Sequence, residues 1–257
     1  MKKFVILFTG RCGGTFVQKS LQIHPEILCL DEILASTNGW PNQRKLLSIL
    51  HSDDCLERLP EVMTEEQAAR MLRGKKNVKA TGLKTKLESI ANVDKFAEYL
   101  IGSGVFVIYL RRKNMLKQAL SVTNAQALRQ QFGMYNISDP SLKREKTKVD
   151  FDKFLQCLIW SIEQDRQLAH FIRQDISTYF ELTYEYIMDH PNRALKAIQE
   201  TLNCREMDCK CELLKITPDD LKQAIGNYDE FKSKIERLTR SCGAFDDRVL
   251  FKDFLED

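Results

Sequence analysis

The sequence predicts an α/β fold in which a central parallel sheet is flanked by helices, and three observations carry that expectation. An apolar run from residue 4 breaks at a glycine turn, GRCGG (10–14), and resumes as a helix-like segment to residue 21, the strand–turn–helix order of an α/β sheet. Residues 105–110 (VFVIYL) are apolar without interruption, as a strand covered on both faces requires. Strand-like and helix-like segments then alternate without a low-complexity linker, and a chain of 257 residues suits one α/β domain, 1–257.

Taken in order, the first strand and its turn lead into a helix that begins at the glycine pair. Thr64 with Gln67 three residues on is a capping-box pattern that opens a further helix, followed by a strand over 78–84. Residues 96–101 read as helix, ended by Gly102-Ser103-Gly104, and 105–110 as a central strand. A helix covers 114–131. From 132 to 149, Gly133, Asn136, Asp139-Pro140 and the cations Lys143, Arg144, Lys146 and Lys148 break all periodicity, which marks a lid or acceptor loop. Helix returns over 151–173, a last strand is expected at 178–182, and Pro191 starts another helix. Thr217-Pro218-Asp219-Asp220 reads as a helix start with Thr217 as N-cap and proline at the first helical position, so that the chain closes with helices against a sheet.

Charge excludes little. Thirty-nine Lys and Arg against 36 Asp and Glu leave +3, too balanced for nonspecific nucleic-acid binding, although a local cluster can still meet an anion. The apolar run behind the two N-terminal lysines is short and enters the glycine turn without a small-residue cleavage pattern, so it reads as a buried strand. No segment approaches the roughly 18 apolar residues of a membrane span. Eight cysteines are scattered without CxxC pairs, and the four histidines lack metal-ligand spacing. The expectation is a cytoplasmic protein with reduced thiols and no metal.

Glycines in such a turn let the backbone approach an oxyanion, and the N–H groups of the following helix start favour negative charge. The ATP/GTP pattern GxxxxGK[ST] fails here, because counting from Gly10 places Thr15 at its second glycine, Phe16 at its lysine and Val17 at its magnesium-binding hydroxyl. Arg11, Gly13, Gly14 and Thr15 remain, an arrangement that holds an anion without a metal. A second constellation is LRRKNMLKQALS (110–121). Strand alternation sends Arg111 and Arg112 to opposite sides, and an arginine at a strand end with the hydroxyl of Ser121 on the next helix makes a second phosphate site. Cys12 as a nucleophile would require a base partner, whereas its turn position by itself selects only a small residue.

Together these motifs resemble the sulfotransferases that use 3′-phosphoadenosine 5′-phosphosulfate (PAPS), most of all the bacterial carbohydrate- and lipid-sulfating branch and its natural-product relatives. GRCGGTF (10–16) resembles the 5′-phosphosulfate loop and LRRKNMLKQALS the 3′-phosphate motif. HPEILCLDEIL (24–34) is similar to the segment that ends in a catalytic glutamate, and GLKTK (82–86) to an interior strand. ELTYEYIMDHP (181–191) and IGNYDEF (225–231) look like C-terminal landmarks. Arg11 stands where many relatives have lysine, Cys12 where serine is usual, and Asp31 where glycine commonly precedes the glutamate.

The resemblance implies a P-loop-like sulfotransferase fold, PAPS as donor and PAP (adenosine 3′,5′-bisphosphate) as product. It implies in-line sulfuryl transfer to a hydroxyl or amine of a small-molecule, sugar or glycolipid acceptor. Glu32 is implied as general base, with Asp31 as the alternative, against a plain reading of Glu32 as a helix-start acid. Arg11 would stabilise developing charge, and Lys84 would add a cation unless it is a surface lysine. Arg11, Cys12, Gly13, Gly14, Thr15 and Phe16 would hold the 5′ group; Arg112 and Ser121 the 3′-phosphate. Tyr184 and Glu185 read as structural, and Asn227-Tyr228 as closing the nucleotide site. A P-loop-like nucleotide kinase or hydrolase, and a noncatalytic nucleotide-binding module of the same fold, stay open beside this reading.

Overall fold

The computed structural model describes residues 1–133, 148–213, 217–218 and 220–241. Most of the 132–149 loop, including Lys143, Arg144 and Lys146, therefore lies outside the described residues. The chain divides into two compact units, 1–111 with 165–211 and 112–164 with 212–257.

The first unit is built on five parallel strands, β1 (Lys2–Phe8), β2 (Ile27–Leu30), β3 (Ala80–Thr85), β4 (Phe106–Arg111) and β5 (Tyr179–Thr183), in the order β2-β3-β1-β4-β5. The sheet is the parallel one expected from the alternating sequence pattern. Strand alternation gives it two apolar faces. On one, Val5, Leu7, Leu83, Val107 and Tyr109 meet helices α2 (Trp40–Leu50) and α5 (Val93–Gly102) and the last turns of α7 (Phe151–Asp175). On the other, Phe4, Ile6, Phe8, Ile108 and Leu110 meet α1 (Gly14–Ile23), α8 (Tyr184–Asp189) and α9 (Pro191–Thr201). Burial on both sides is why β1 and β4 read as continuous apolar runs.

Chain order reverses beside β1, whose sequence neighbour β2 lies two positions away and whose spatial neighbours are β3 and β4. The crevice at the carboxyl ends of the strands beside such a reversal is where open α/β sheets bind ligands.

The outer edge of β2 is closed by side chains. Gln22 Oε1 accepts from the Cys29 N–H at 2.9 Å, Gln18 Nε2 donates to the Cys29 carbonyl at 2.8 Å, and Lys75 Nζ donates to the Ile27 carbonyl. Lys75 also donates to the Gln22 and His24 carbonyls, and burial pushes its ammonium down to about 8. An edge strand so occupied offers no free ladder for another chain.

Helix starts largely follow the sequence. After the one-turn helix α3 (Cys55–Arg58), Thr64 and Gln67 form the complete capping box of α4 (Glu65–Leu72), and Asn114 caps α6 (Met115–Phe132) by accepting from the Lys117 N–H at 2.8 Å. One start differs. The helix expected from Thr217 begins only at α10 (Leu221–Ala224), because Asp220 is the residue whose carboxylate accepts a first-turn N–H, from Lys222 at 2.9 Å. The Thr217 hydroxyl is engaged instead by Asn124 Nδ2 at 3.1 Å.

The second unit has a core of Leu116 and Leu120 from α6, Phe154 and Leu158 from the first turns of α7, and Phe231 and Ile235 from α11 (Tyr228–Ser241). The Asn227 side chain spans the backbone of Val149, accepting from its N–H at 2.9 Å and donating to its carbonyl at 3.2 Å. This is a loop-fastening role within that unit.

Candidate active site

The sequence-nominated residues of the first unit lie at the carboxyl ends of its strands: the glycine turn after β1, Asp31 and Glu32 after β2, Lys84 near the end of β3. In the turn, Arg11 takes a left-handed φ of 65°, a conformation that costs a non-glycine residue on the order of 1 kcal/mol or more. Gly13 follows at φ 88° as the N-cap of α1, with no side-chain cap and no acid in the first turn. The first N–H groups of a helix have no intrahelical acceptor, so this start is an anion cradle with the positive end of the helix dipole behind it. Gly14 is set by close approach, since a Cβ there would stand 2.8 Å from the Phe8 ring.

Cys12 is fully buried, and its thiol donates to the Thr9 carbonyl at 2.8 Å. Its side chain is turned into the core, which leaves the backbone as the part of this residue suited to an anion.

Lys84 is the pivot. Side chains on β3 alternate, which places Lys84 on the face that α1 covers, with Ile6 as its register partner on β1. Its side chain is only 2% exposed, and its Nζ lies 2.9 Å from Thr15 Oγ1, 3.0 Å from Asp31 Oδ1 and 3.3 Å from Glu32 Oε1. The surface alternative for this lysine is therefore corrected: an ammonium is tolerated at such depth because it is paired and hydrogen-bonded. In space its ammonium stands against the hydroxyl of Thr15 at the helix start.

Glu32 precedes the short 3-10 helix Ile33–Ser36, yet its side chain makes no cap hydrogen bond. Its carboxylate is instead held by two ammonium groups, Lys84 on Oε1 and Lys86 on Oε2, the latter at 3.3 Å. The carboxylate is thus engaged by ammonium groups and not by the backbone of that helix start. Asp31 is more exposed, and its Oδ1 is shared between Lys84 and the Glu32 N–H at 2.8 Å. Both lysines also lie over the Phe8 ring, at 5.4 Å and 6.0 Å from its centroid.

Sequence reasoning missed Lys86. The available signal was its position two residues beyond Lys84, which strand alternation sends to the same face.

Arg111 is the last residue of β4 and Arg112 the residue after it. Arg111 pairs with Asp165 at 3.5 Å and Glu181 at 3.7 Å in the first unit. Arg112, the first residue of the second unit, is buried, as is Ser121 on α6. Tyr184 begins α8, where its ring would meet a Cβ placed on Gly13 at 3.4 Å, a packing role against the turn.

Three buried thiols outside the turn are poor nucleophiles. Burial pushes the Cys29 thiol up to about 12 and those of Cys55 and Cys204 to about 11, so they stay protonated. Among the described residues no group of three or more His, Cys, Asp or Glu is placed to hold a metal ion, and no helix is long and apolar enough to cross a membrane.

No family model and no curated protein matches the chain. Solved structures similar to it include a sulfotransferase from Alicyclobacillus acidocaldarius, 13% identical, with a TM-score of 0.47 over 95% of this chain and 96% of that one. The mouse sulfotransferase SULT7A1 complexed with PAP is 12% identical, with a TM-score of 0.48 over 95% of this chain and 86% of the other. The sulfotransferase STF9 from Mycobacterium avium is 14% identical, with a TM-score of 0.45 over 95% and 77%.

Proposed function

We propose that this chain is a sulfotransferase that moves the sulfuryl group of PAPS to a hydroxyl or amine of a small-molecule, sugar or glycolipid acceptor in the cytoplasm. One observation carries the reading: the buried Lys84 joins Thr15 of the anion cradle to the carboxylate of Glu32, bringing an anion site, a cation and a base within one ammonium's reach.

PAPS, when bound, supplies a sulfuryl group on a phosphate leaving group. The N–H groups of Gly14, Thr15 and Phe16 hold the 5′ end, a fit supported by a helix start without a side-chain cap and by a turn too close to Phe8 for a Cβ at Gly14. Lys84 and Arg11 neutralise charge that grows on the departing phosphate, preorganised electrostatics of the kind that dominates many active sites. Glu32 takes the acceptor's proton. Of the two carboxylates it has the oxygen held by the more exposed lysine, whereas Asp31 serves to orient Lys84. Arg112 and Ser121 recognise the 3′-phosphate, as the sequence motif implies.

Calorimetry with PAP and AMP tests the donor assignment. A charge-assisted phosphate contact is worth on the order of 1.5–3 kcal/mol, so PAP binds roughly 10- to 150-fold more tightly than AMP. Equal affinities, or tight magnesium-dependent ATP binding, would remove the reading.

A further inference from the structure

The first unit has a second concavity at the amino ends of its strands, the opposite end of the sheet from the candidate active site. A cavity of about 230 Å³ lies where β1, β4 and β5 begin and where α5 and α7 end. The two ends of the sheet are about 20 Å apart, at roughly 3.3 Å per residue along β1. Leu100, Val105 and Ile176 are buried walls of this cavity. The carbonyls of Tyr99, Leu100 and Ile101 at the end of α5 accept from the N–H groups of Ser103, Val105 and Gly104, which blunts the negative pole of that helix end. Lys2, the first residue of β1, lines the same cavity, and its Nζ lies 5.5 Å from the centroid of the Phe106 ring. Among the described residues no carboxylate pairs with Lys2, whereas Lys84 and Lys86 each meet at least one. Ser177 and Thr178, exposed between α7 and β5, add polar groups to the lining.

We propose that this cavity is an accessory binding site for a small amphipathic monoanion, an apolar chain that ends in a carboxylate or a sulfate ester. Size, walls and charge each select one part of that ligand. A volume of 230 Å³ holds roughly seven groups the size of water at about 30 Å³ each, which is a chain of about six carbons with its head. Leu100, Val105 and Ile176 offer such a chain apolar contact and offer water few of the polar partners it needs. The head meets the Lys2 ammonium, whose other contact is an aromatic face, and a cationic head would meet it with like charge. Lys2 is a point charge and accepts a carboxylate or a sulfate ester alike. The site is independent of the sulfotransferase reading, because no residue of the glycine turn, of the Lys84 cluster or of the 110–121 motif lines it.

The test is an amide NMR titration of the full chain with hexanoate, hexyl sulfate and hexylammonium. The two anions are expected to give saturable shifts at the amides of Gly104, Ser177 and Thr178, and hexylammonium none. Within a series of alkyl sulfates, affinity should rise about fourfold per methylene up to about six carbons and then level off, as it does when a closed volume is filled. Lys2→Gln should weaken both anions about fivefold, the scale of a partly exposed ion pair, and Lys2→Arg should restore them. Ile101, 61% exposed at the lip, gives a second variant that leaves the core alone: Ile101→Glu places a negative charge at the mouth and should abolish the shifts. Tighter binding of hexyl sulfate than of hexanoate, or the reverse, identifies which head the cavity prefers and supports the site in either case. Absence of saturable shifts at those three amides, equal binding of hexylammonium, or anion affinity unchanged in both Lys2→Gln and Ile101→Glu overturns it.

Discussion

Replacing Lys84 with methionine tests whether the buried ammonium serves the fold or the chemistry. The methionine keeps most of the stem and removes the charge. By structure, the loss comprises one charge-assisted hydrogen bond to Thr15 and two ion pairs, with Asp31 56% and Glu32 29% exposed. The hydrogen bond is worth about 1.5–3 kcal/mol. Pairs with carboxylates that water can reach contribute roughly 0.2–1 kcal/mol each. Against this stands the several kcal/mol that burying an ammonium costs, which the variant no longer incurs. The two nearly cancel, so stability in urea denaturation should change by only about 1–2 kcal/mol.

Ligand binding has no such offset, because Asp31 and Glu32 would face an anionic donor without their shared counter-charge. PAP affinity should fall roughly 10- to 150-fold by calorimetry. Transfer from PAPS to an acceptor, followed by mass spectrometry, should fall by a further factor of about 10²–10³. A variant that loses more than about 4 kcal/mol of stability, or that binds PAP and turns over like wild type, would show Lys84 to be structural.

Glu32→Gln should leave PAP affinity nearly unchanged and lower kcat by about two to four orders of magnitude, measured once an acceptor has been identified. Because an amide offers only one acceptor oxygen, one of the two lysines then faces an N–H group; near-normal turnover would exclude Glu32 as the base and point to Asp31. Burial pushes His51, whose Nδ1 lies 3.0 Å from the Tyr99 hydroxyl, down to about 4. The unfolded chain therefore binds more protons between pH 6.5 and about 4, so this stability is fully present above pH 6.5 and is lost as pH falls to about 4, on the order of 3 kcal/mol. His51→Gln should flatten that part of the acid slope in urea titrations at pH 7 and 4.5, and an identical slope in the variant would refute the assignment.

What the sequence determined alone is local or periodic. The glycine turn, the uninterrupted apolar strands, the cap at Thr64 and the helix expected over 114–131 depend on neighbouring residues, and each is realised close to where the pattern placed it. The short strand β2 and helix α2 were not legible, because a four-residue apolar run such as ILCL does not distinguish strand from buried helix and the helix is only weakly amphipathic. Nor was the helix start at Asp220, since acids and a threonine within 217–220 all have capping chemistry; in the structure Asp220 caps the helix and the Thr217 hydroxyl meets Asn124.

At the candidate site, motif spacing nominated Glu32 and Lys84 separately but contained nothing about their meeting. That depends on the β1–β3 register, which sets Lys84 beside Ile6, and on α1 lying close enough over Phe8 to bring Thr15 to the ammonium. Lys84, Asp31, Glu32 and Lys86 come from two strand ends some fifty residues apart in sequence, and no pairwise preference along the chain encodes which lysine meets which carboxylate oxygen. Only the packed sheet decides that one lysine is buried and locked while the other stays partly exposed between two carboxylates.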